Sequence, residues 1–132
     1  MRVRKMKIAI VGSRDYGSLE DIHFWIPHLF DKGDVLLTGG ARGVDKEAEL
    51  VATRLGIRVR IYRPDRAWKK GDYIKRNIAL VDDADRVYAF WDGTSPGTKF
   101  SVDYACKKGK FGGMMIAGKR FVKNGDLNEK KS

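Results

Sequence analysis

Apolar residues fall in five short runs, separated by stretches whose apolar positions recur at helical spacing. The first run, Lys7-Ile8-Ala9-Ile10-Val11, is continuously apolar after its first residue. That pattern predicts a strand covered on both faces, as in a parallel sheet. Leu19, Ile22, Trp25, Ile26, Leu29 and Phe30 then mark one helical face, closed by Lys32-Gly33. Pro27 lies inside this pattern and predicts a kink or a break. Asp34–Thr38 is a second strand. Val44, Ala48, Val51, Ala52 and Leu55 line the next helix, with Asp45, Lys46, Glu47, Glu49 and Arg54 off that face. Gly56 suits the position just past its end. Ile57, Val59 and Ile61 alternate with Arg58, Arg60 and Tyr62, so the third strand has one wet face and belongs at an edge. A loop over Arg63–Gly71 leads to a helix at about Asp72–Val81, with Ile74, Ile78 and Val81 inward. Arg86–Trp91 is the fourth strand, a helix runs from about Thr98 to Lys108, and Gly112–Ala117 is the fifth strand. Residues beyond Gly118 read as a short polar extension and a loose tail.

The order β-α-β-α-β-α-β-α-β predicts a three-layer α/β sandwich. A five-stranded parallel sheet carries helices on both faces. With the third strand at an edge, the strand order is 3-2-1-4-5, and the sheet reverses beside its central first strand. Ligands of such sheets bind beyond the strand C-termini at that reversal. The loops after strands one, two and four open there. We expect one domain over residues 1–118, followed by the extension at 119–132.

Those three loops hold the candidate chemistry. Gly39-Gly40-Ala41-Arg42-Gly43 sits between a strand and a helix, where glycines permit tight turning and a helix start presents free N–H groups to an anion. It is no Walker A loop, having no Gly-Lys-Ser/Thr after it, and its spacing differs from the dinucleotide fingerprint. Gly12-Ser13-Arg14-Asp15 adds a hydroxyl and a planar guanidinium suited to phosphate. Asp92-Gly93-Thr94-Ser95-Pro96-Gly97-Thr98 adds two glycines and three hydroxyls before a helix. Each stretch read alone is also an ordinary loop.

The chain has 132 residues, 42% hydrophobic and 33% charged, with 27 basic and 17 acidic residues for a net charge of +10. Nucleic acid or a phosphorylated small molecule would suit that charge, and so would a generally basic surface. Basic residues are concentrated only in the N-terminal segment and in Lys119–Lys131. No apolar run approaches the roughly 18 residues of a membrane span. Met1–Lys7 lacks the pattern of a signal peptide, so a cytoplasmic protein is expected. Cys106, the single cysteine, reads as a structural thiol. His23 and His28 share no helical face, and no metal site or cofactor is expected. Trp68 and Trp91 would either stack on a base or pack the fold.

Taken together, Gly12-Ser13-Arg14-Asp15, Thr38-Gly39-Gly40-Ala41-Arg42-Gly43-Val44-Asp45, Arg76-Asn77, Ala84–Gly93 and Ser95-Pro96-Gly97-Thr98 resemble the YspA-like branch of the SLOG superfamily. That superfamily groups DprA/Smf DNA-processing proteins with the Lonely Guy phosphoribohydrolases. The resemblance spans Lys7 to Ala117. It implies a Rossmann-like fold and a pocket for a nucleotide or nucleotide derivative. Phosphate contacts would come from Gly39, Gly40, Ala41, Arg42 and Gly43 and from Gly97 and Thr98. Gly12, Ser13, Arg14, Arg76, Asn77, Asp92 and Gly93 would surround the same pocket, and Asp45 would cap its helix or touch a ribose.

The resemblance has one departure. Lonely Guy enzymes carry a catalytic glutamate where this chain has Ser101, and a serine does not replace that carboxylate. The leading expectation is thus a domain binding a small phosphorylated nucleotide-like ligand, as a sensor or in nucleotide processing. A DprA-like module binding DNA or RNA is the alternative, and a nucleoside 5′-monophosphate phosphoribohydrolase is the disfavoured third. A homodimer is implied only by the relatives.

Overall fold

In a computed structural model, residues 5–64, 70–117 and 120–123 are described. The elements are β1 (Lys7–Gly12), α1 (Glu20–Leu29), β2 (Val35–Thr38), α2 (Val44–Arg54), β3 (Arg58–Ile61), α3 (Lys70–Asp83), β4 (Arg86–Trp91), α4 (Pro96–Lys107), β5 (Phe111–Ile116) and β6 (Arg120–Lys123). The sheet order is β3-β2-β1-β4-β5-β6. The first five strands are parallel in the expected order 3-2-1-4-5. One strand exceeds the expectation: β6 adds antiparallel to β5, pairing Met115 with Phe121. It falls in the stretch expected to be a polar extension.

Period-two alternation divides the apolar strands between two cores. Ile8 and Ile10 of β1, Leu36 of β2 and Phe90 of β4 face α1 and α2, against Ile22, Ile26, Val44 and Ala48. Ala9, Val11, Leu37, Val87 and Ala89 face the other way, onto Leu80 and Val81 of α3 and Val102 and Ala105 of α4. Both faces of the central strands are therefore dry, which is why these strands read as unbroken apolar runs. The change of helix side between α2 and α3 accompanies the reversal of strand order beside β1. The crevice follows from that reversal.

Helix details depart from expectation in two places. α1 runs on through Pro27 and ends two residues later at Leu29. Proline deletes one hydrogen bond in the last turn, where the least helix remains to be disturbed. In α3, Ile74 is not inward but exposed, and the buried apolar residues of its latter half are Leu80 and Val81. On the turns before them the inward-facing group is Tyr73, Arg76 and Asn77, which line a cavity rather than the core. No helix among the described residues is long and apolar enough to cross a membrane.

At the opposite end of the strands, Asp34 is buried at 3% exposure. Its carboxylate accepts the backbone N–H of Met6 at 2.9 Å and of Asp31 at 2.8 Å, fastening the entry to β1 onto the turn before β2. Asp34→Ala strands both donors, and we expect a loss of about 1–3 kcal/mol in urea unfolding. A midpoint unchanged from wild type would show that the clamp contributes nothing.

Candidate functional site

The loop after β1 and the loop after β2 lie so close that side chains are excluded between them. A Cβ on Gly12 would stand 2.4 Å from Val44, and one on Gly43 would stand 2.3 Å from the carbonyl oxygen of Arg14. Gly43 also has φ of +80°, a conformation that favours glycine. Val44 donates its N–H to the Ser13 carbonyl at 3.4 Å, and Ser13 donates its own to Phe90 at 3.0 Å. The loop ends of β2, β1 and β4 are thereby stitched together across the reversal point.

Ser13 is the side-chain hub. Its hydroxyl is buried, lies 2.7 Å from the Ser95 hydroxyl, and accepts the N–H of Asp92 at 3.0 Å. Asp92 folds its own loop by accepting the N–H groups of Thr94 at 2.9 Å and Ser95 at 2.8 Å. Partial desolvation pushes the Asp92 pKa up, but the hydrogen bonds from Ser95, Thr94 and Ser13 outweigh it and hold the carboxyl below its ordinary value. Trp91 braces the same loop, its indole N–H donating to the Ser95 carbonyl at 2.9 Å. Trp68 lies outside the described residues.

Above these loops is a cleft of about 420 Å³. Eleven of the expected site residues line it: Gly12, Ser13 and Arg14 from the first loop; Gly39, Ala41 and Asp45 from the second; Arg76 and Asn77 from α3; and Asp92, Gly97 and Thr98 from the fourth strand's loop and α4. Gly40, Arg42, Gly43 and Gly93 do not. Gly43 serves the close approach to Arg14, and Arg42 reaches outward to Asp15 at 3.3 Å between two exposed side chains. Neither α2 nor α4 has a side-chain cap at its start. At α2 the Val44 and Lys46 N–H groups donate to the Ser13 and Ala41 carbonyls, so the helix start that opens on the cleft is that of α4, where Gly97 and Thr98 line it. Ser101 also lines it, its hydroxyl donating back to the Gly97 carbonyl at 3.2 Å.

Arg76 and Asp45 hold charge inside the fold. Arg76 donates to the carbonyls of Gly39 at 2.6 Å and Tyr62 at 3.2 Å, and to the side-chain oxygen of Asn77 at 2.8 Å. It clamps the glycine loop to the end of β3. Burial lowers its pKa, and neighbouring Asp45 opposes that most. Asp45, expected off the buried face of its helix, is instead 6% exposed and accepts the N–H of Ala41 at 3.2 Å. It caps the glycine loop from behind rather than the helix. Burial raises its pKa from the usual 3.8 to about 6, against the opposing pull of the Ala41 N–H, Arg76 and Arg14. Tyr73, which sequence reasoning missed, has the guanidinium carbons of both Arg14 and Arg76 at 5.6 Å from its ring centre. Its position three residues before Arg76, on the same helical face, was the available signal.

The arrangement is a Rossmann-like α/β domain with an anion-suited cleft at the switch point of its sheet. Among solved structures the fold is that of DNA processing protein A. The Streptococcus pneumoniae protein superposes with a TM-score of 0.71 at 18% identity, covering 80% of this chain and 48% of that one. The Helicobacter pylori protein, described for its single-stranded DNA binding mode, gives 0.64 at 22% identity, covering 96% of this chain and 72% of that one. The chain thus spans about half the length of the pneumococcal protein. At these identities the likeness is one of fold alone, and it carries nothing on the YspA-like branch. No protein-family model and no curated protein matches the chain.

Two outcomes follow from this geometry. Gly43→Ala forces a side chain against the Arg14 backbone in a left-handed conformation, and we expect a loss above about 2 kcal/mol in urea unfolding. Asp45 has the opposite sign. Its raised folded pKa means that the folded state holds the proton more tightly than the unfolded state. Its contribution is full below about pH 4 and is lost as pH rises to about 6, by about 3 kcal/mol. Asp45→Asn keeps an acceptor for Ala41 without the charge, so its stability should exceed wild type above pH 6 and converge with it near pH 4. Parallel stability curves for the two proteins would refute this.

Proposed function

We propose that the cleft binds a single nucleic-acid strand, seating one nucleotide with its phosphate at the strand C-termini. The observation that supports this most is the convergence of Arg14, Gly39, Ala41 and the Gly97-Thr98 helix start on one open cleft. Arg14 is exposed and provides the cation. The start of α4, at Gly97 and Thr98, provides N–H donors. Net charge of +10 favours a polyanion in solution. The two DprA folds, one of a protein that binds single-stranded DNA, favour this reading over a free nucleotide.

A free nucleotide is the second reading, because about 420 Å³ falls within the range of small-ligand pockets. Glycosidic hydrolysis is not proposed. The residue at the catalytic-glutamate position is Ser101, whose hydroxyl is directed to a backbone carbonyl. Of the three carboxylates at the cleft, Asp92 folds its own loop, Asp15 pairs with Arg42, and Asp45 accepts the Ala41 N–H.

Fluorescence anisotropy with a labelled oligothymidylate, titrated with salt, tests the first reading. Arg14→Ala should weaken binding about tenfold and reduce the salt slope by about 0.7, the value of one phosphate contact on a single strand. Thymidine monophosphate competing as well as the oligonucleotide would favour the free-nucleotide reading. No binding of either by wild type at low salt would overturn both.

A further inference from the structure

A second hollow of about 360 Å³ opens beside the cleft, bounded by Gly40, Arg63 and Pro64. It shares Arg14, Gly39, Ala41, Tyr73 and Arg76 with the cleft, so the two form one trough. Gly40 keeps it open. A Cβ there would stand 2.8 Å from Ile61 and 3.6 Å from the Arg63 guanidinium. Arg63 follows β3, whereas the far end of the cleft is built by the loop after β4. The strands β4, β1, β2 and β3 are successive neighbours. At about 4.8 Å between strands, the trough therefore runs about 14 Å along the sheet edge. Tyr73 lines both parts, at their junction.

The geometry points to a second phosphate subsite at Arg63, so that the trough takes two successive nucleotides of a single strand. This rests on the single-strand reading of the cleft and adds the length and direction of what it holds. One phosphate lies against Arg14, Gly97 and Thr98. The next lies beside Arg63, beyond the stretch that Arg14, Tyr73 and Arg76 line in both hollows. Arg14 stands in the shared stretch and Arg63 at the end of the second hollow, so cations recur along the trough as phosphates recur along a strand. The phosphates of a nucleoside polyphosphate are joined through a shared oxygen and lie closer together than those of a strand, which a sugar separates, so the strand is the better fit.

The test compares thymidine 5′-monophosphate, the 5′-phosphorylated thymidine dinucleotide and adenosine diphosphate on wild type, Arg63→Ala and Arg54→Ala. Arg54 is an exposed arginine in the last turn of α2 and controls for loss of one surface charge. Expected is a dinucleotide bound at least tenfold more tightly than the monophosphate by wild type. Arg63→Ala removes most of that advantage, leaves monophosphate affinity within twofold, and lowers the dinucleotide salt slope by about 0.7. Arg54→Ala changes neither. Equal affinity for mono- and dinucleotide, or an equal loss with Arg54→Ala, overturns the subsite while the cleft reading stands. An Arg63-dependent gain for adenosine diphosphate but not for the dinucleotide overturns it in favour of a polyphosphate. Failure of wild type to bind any of the three, or oligothymidylate, overturns the cleft reading and the subsite with it.

Discussion

The site depends on a steric constraint: two loops that cross with no room for a Cβ between them. Gly12 lies under Val44 and Gly43 lies on the Arg14 carbonyl. With larger residues the start of α2 would stand off from β1, and the hydrogen bond from Val44 to Ser13 would open. Ser13 would then lose its fixed place against Ser95 and Asp92. Three separate loops become one rigid cleft wall because glycine permits that approach at two positions. An interior packed at crystal-like density passes such a displacement on to its neighbours.

The cleft wall also carries charge that the fold has partly neutralised for its own ends. Arg76 uses one nitrogen on two backbone carbonyls, so part of its role is architectural. Asp45 answers it beside Gly39, where a side chain on Gly39 would touch both. A buried carboxylate among anion-suited groups would repel a phosphate. Its raised pKa and its neighbouring arginines reduce that repulsion. Arg14 differs from both, since its side chain is exposed at the mouth.

The fold was largely legible in the sequence because both faces of the sheet are dry. Ile8–Val11 and Val87–Phe90 are apolar without interruption, and only β3, at the edge, alternates. The three loops of the site were legible for a related reason, since glycines and hydroxyl residues follow three of those runs. Periodicity misled where a helix faces a cavity. Tyr73, Arg76 and Asn77 occupy an inward face that a hydrophobic template assigns to Ile74. It misled at Asp45 too, because a carboxylate is assigned to water unless its partners, here the Ala41 N–H and Arg76, are known. β6 escaped because Arg120–Lys123 is short, has only Phe121 and Val122 apolar, and is defined by its pairing with β5.

The pairing of β1 with β4 bears on the order in which the chain folds. Ile8 is aligned with Arg86, so the central pair of the sheet joins residues far apart in the chain. β1, β2 and β3, with α1 and α2, are contiguous and pair successively, so they close short loops. The β1–β4 ladder must wait for the second half of the chain to be present, and contacts of that separation are the slow ones. The cleft straddles that ladder, with Arg14 and Gly39 on one side and Gly97 and Thr98 on the other. A nascent or half-folded chain therefore has the glycine loops without a complete cleft.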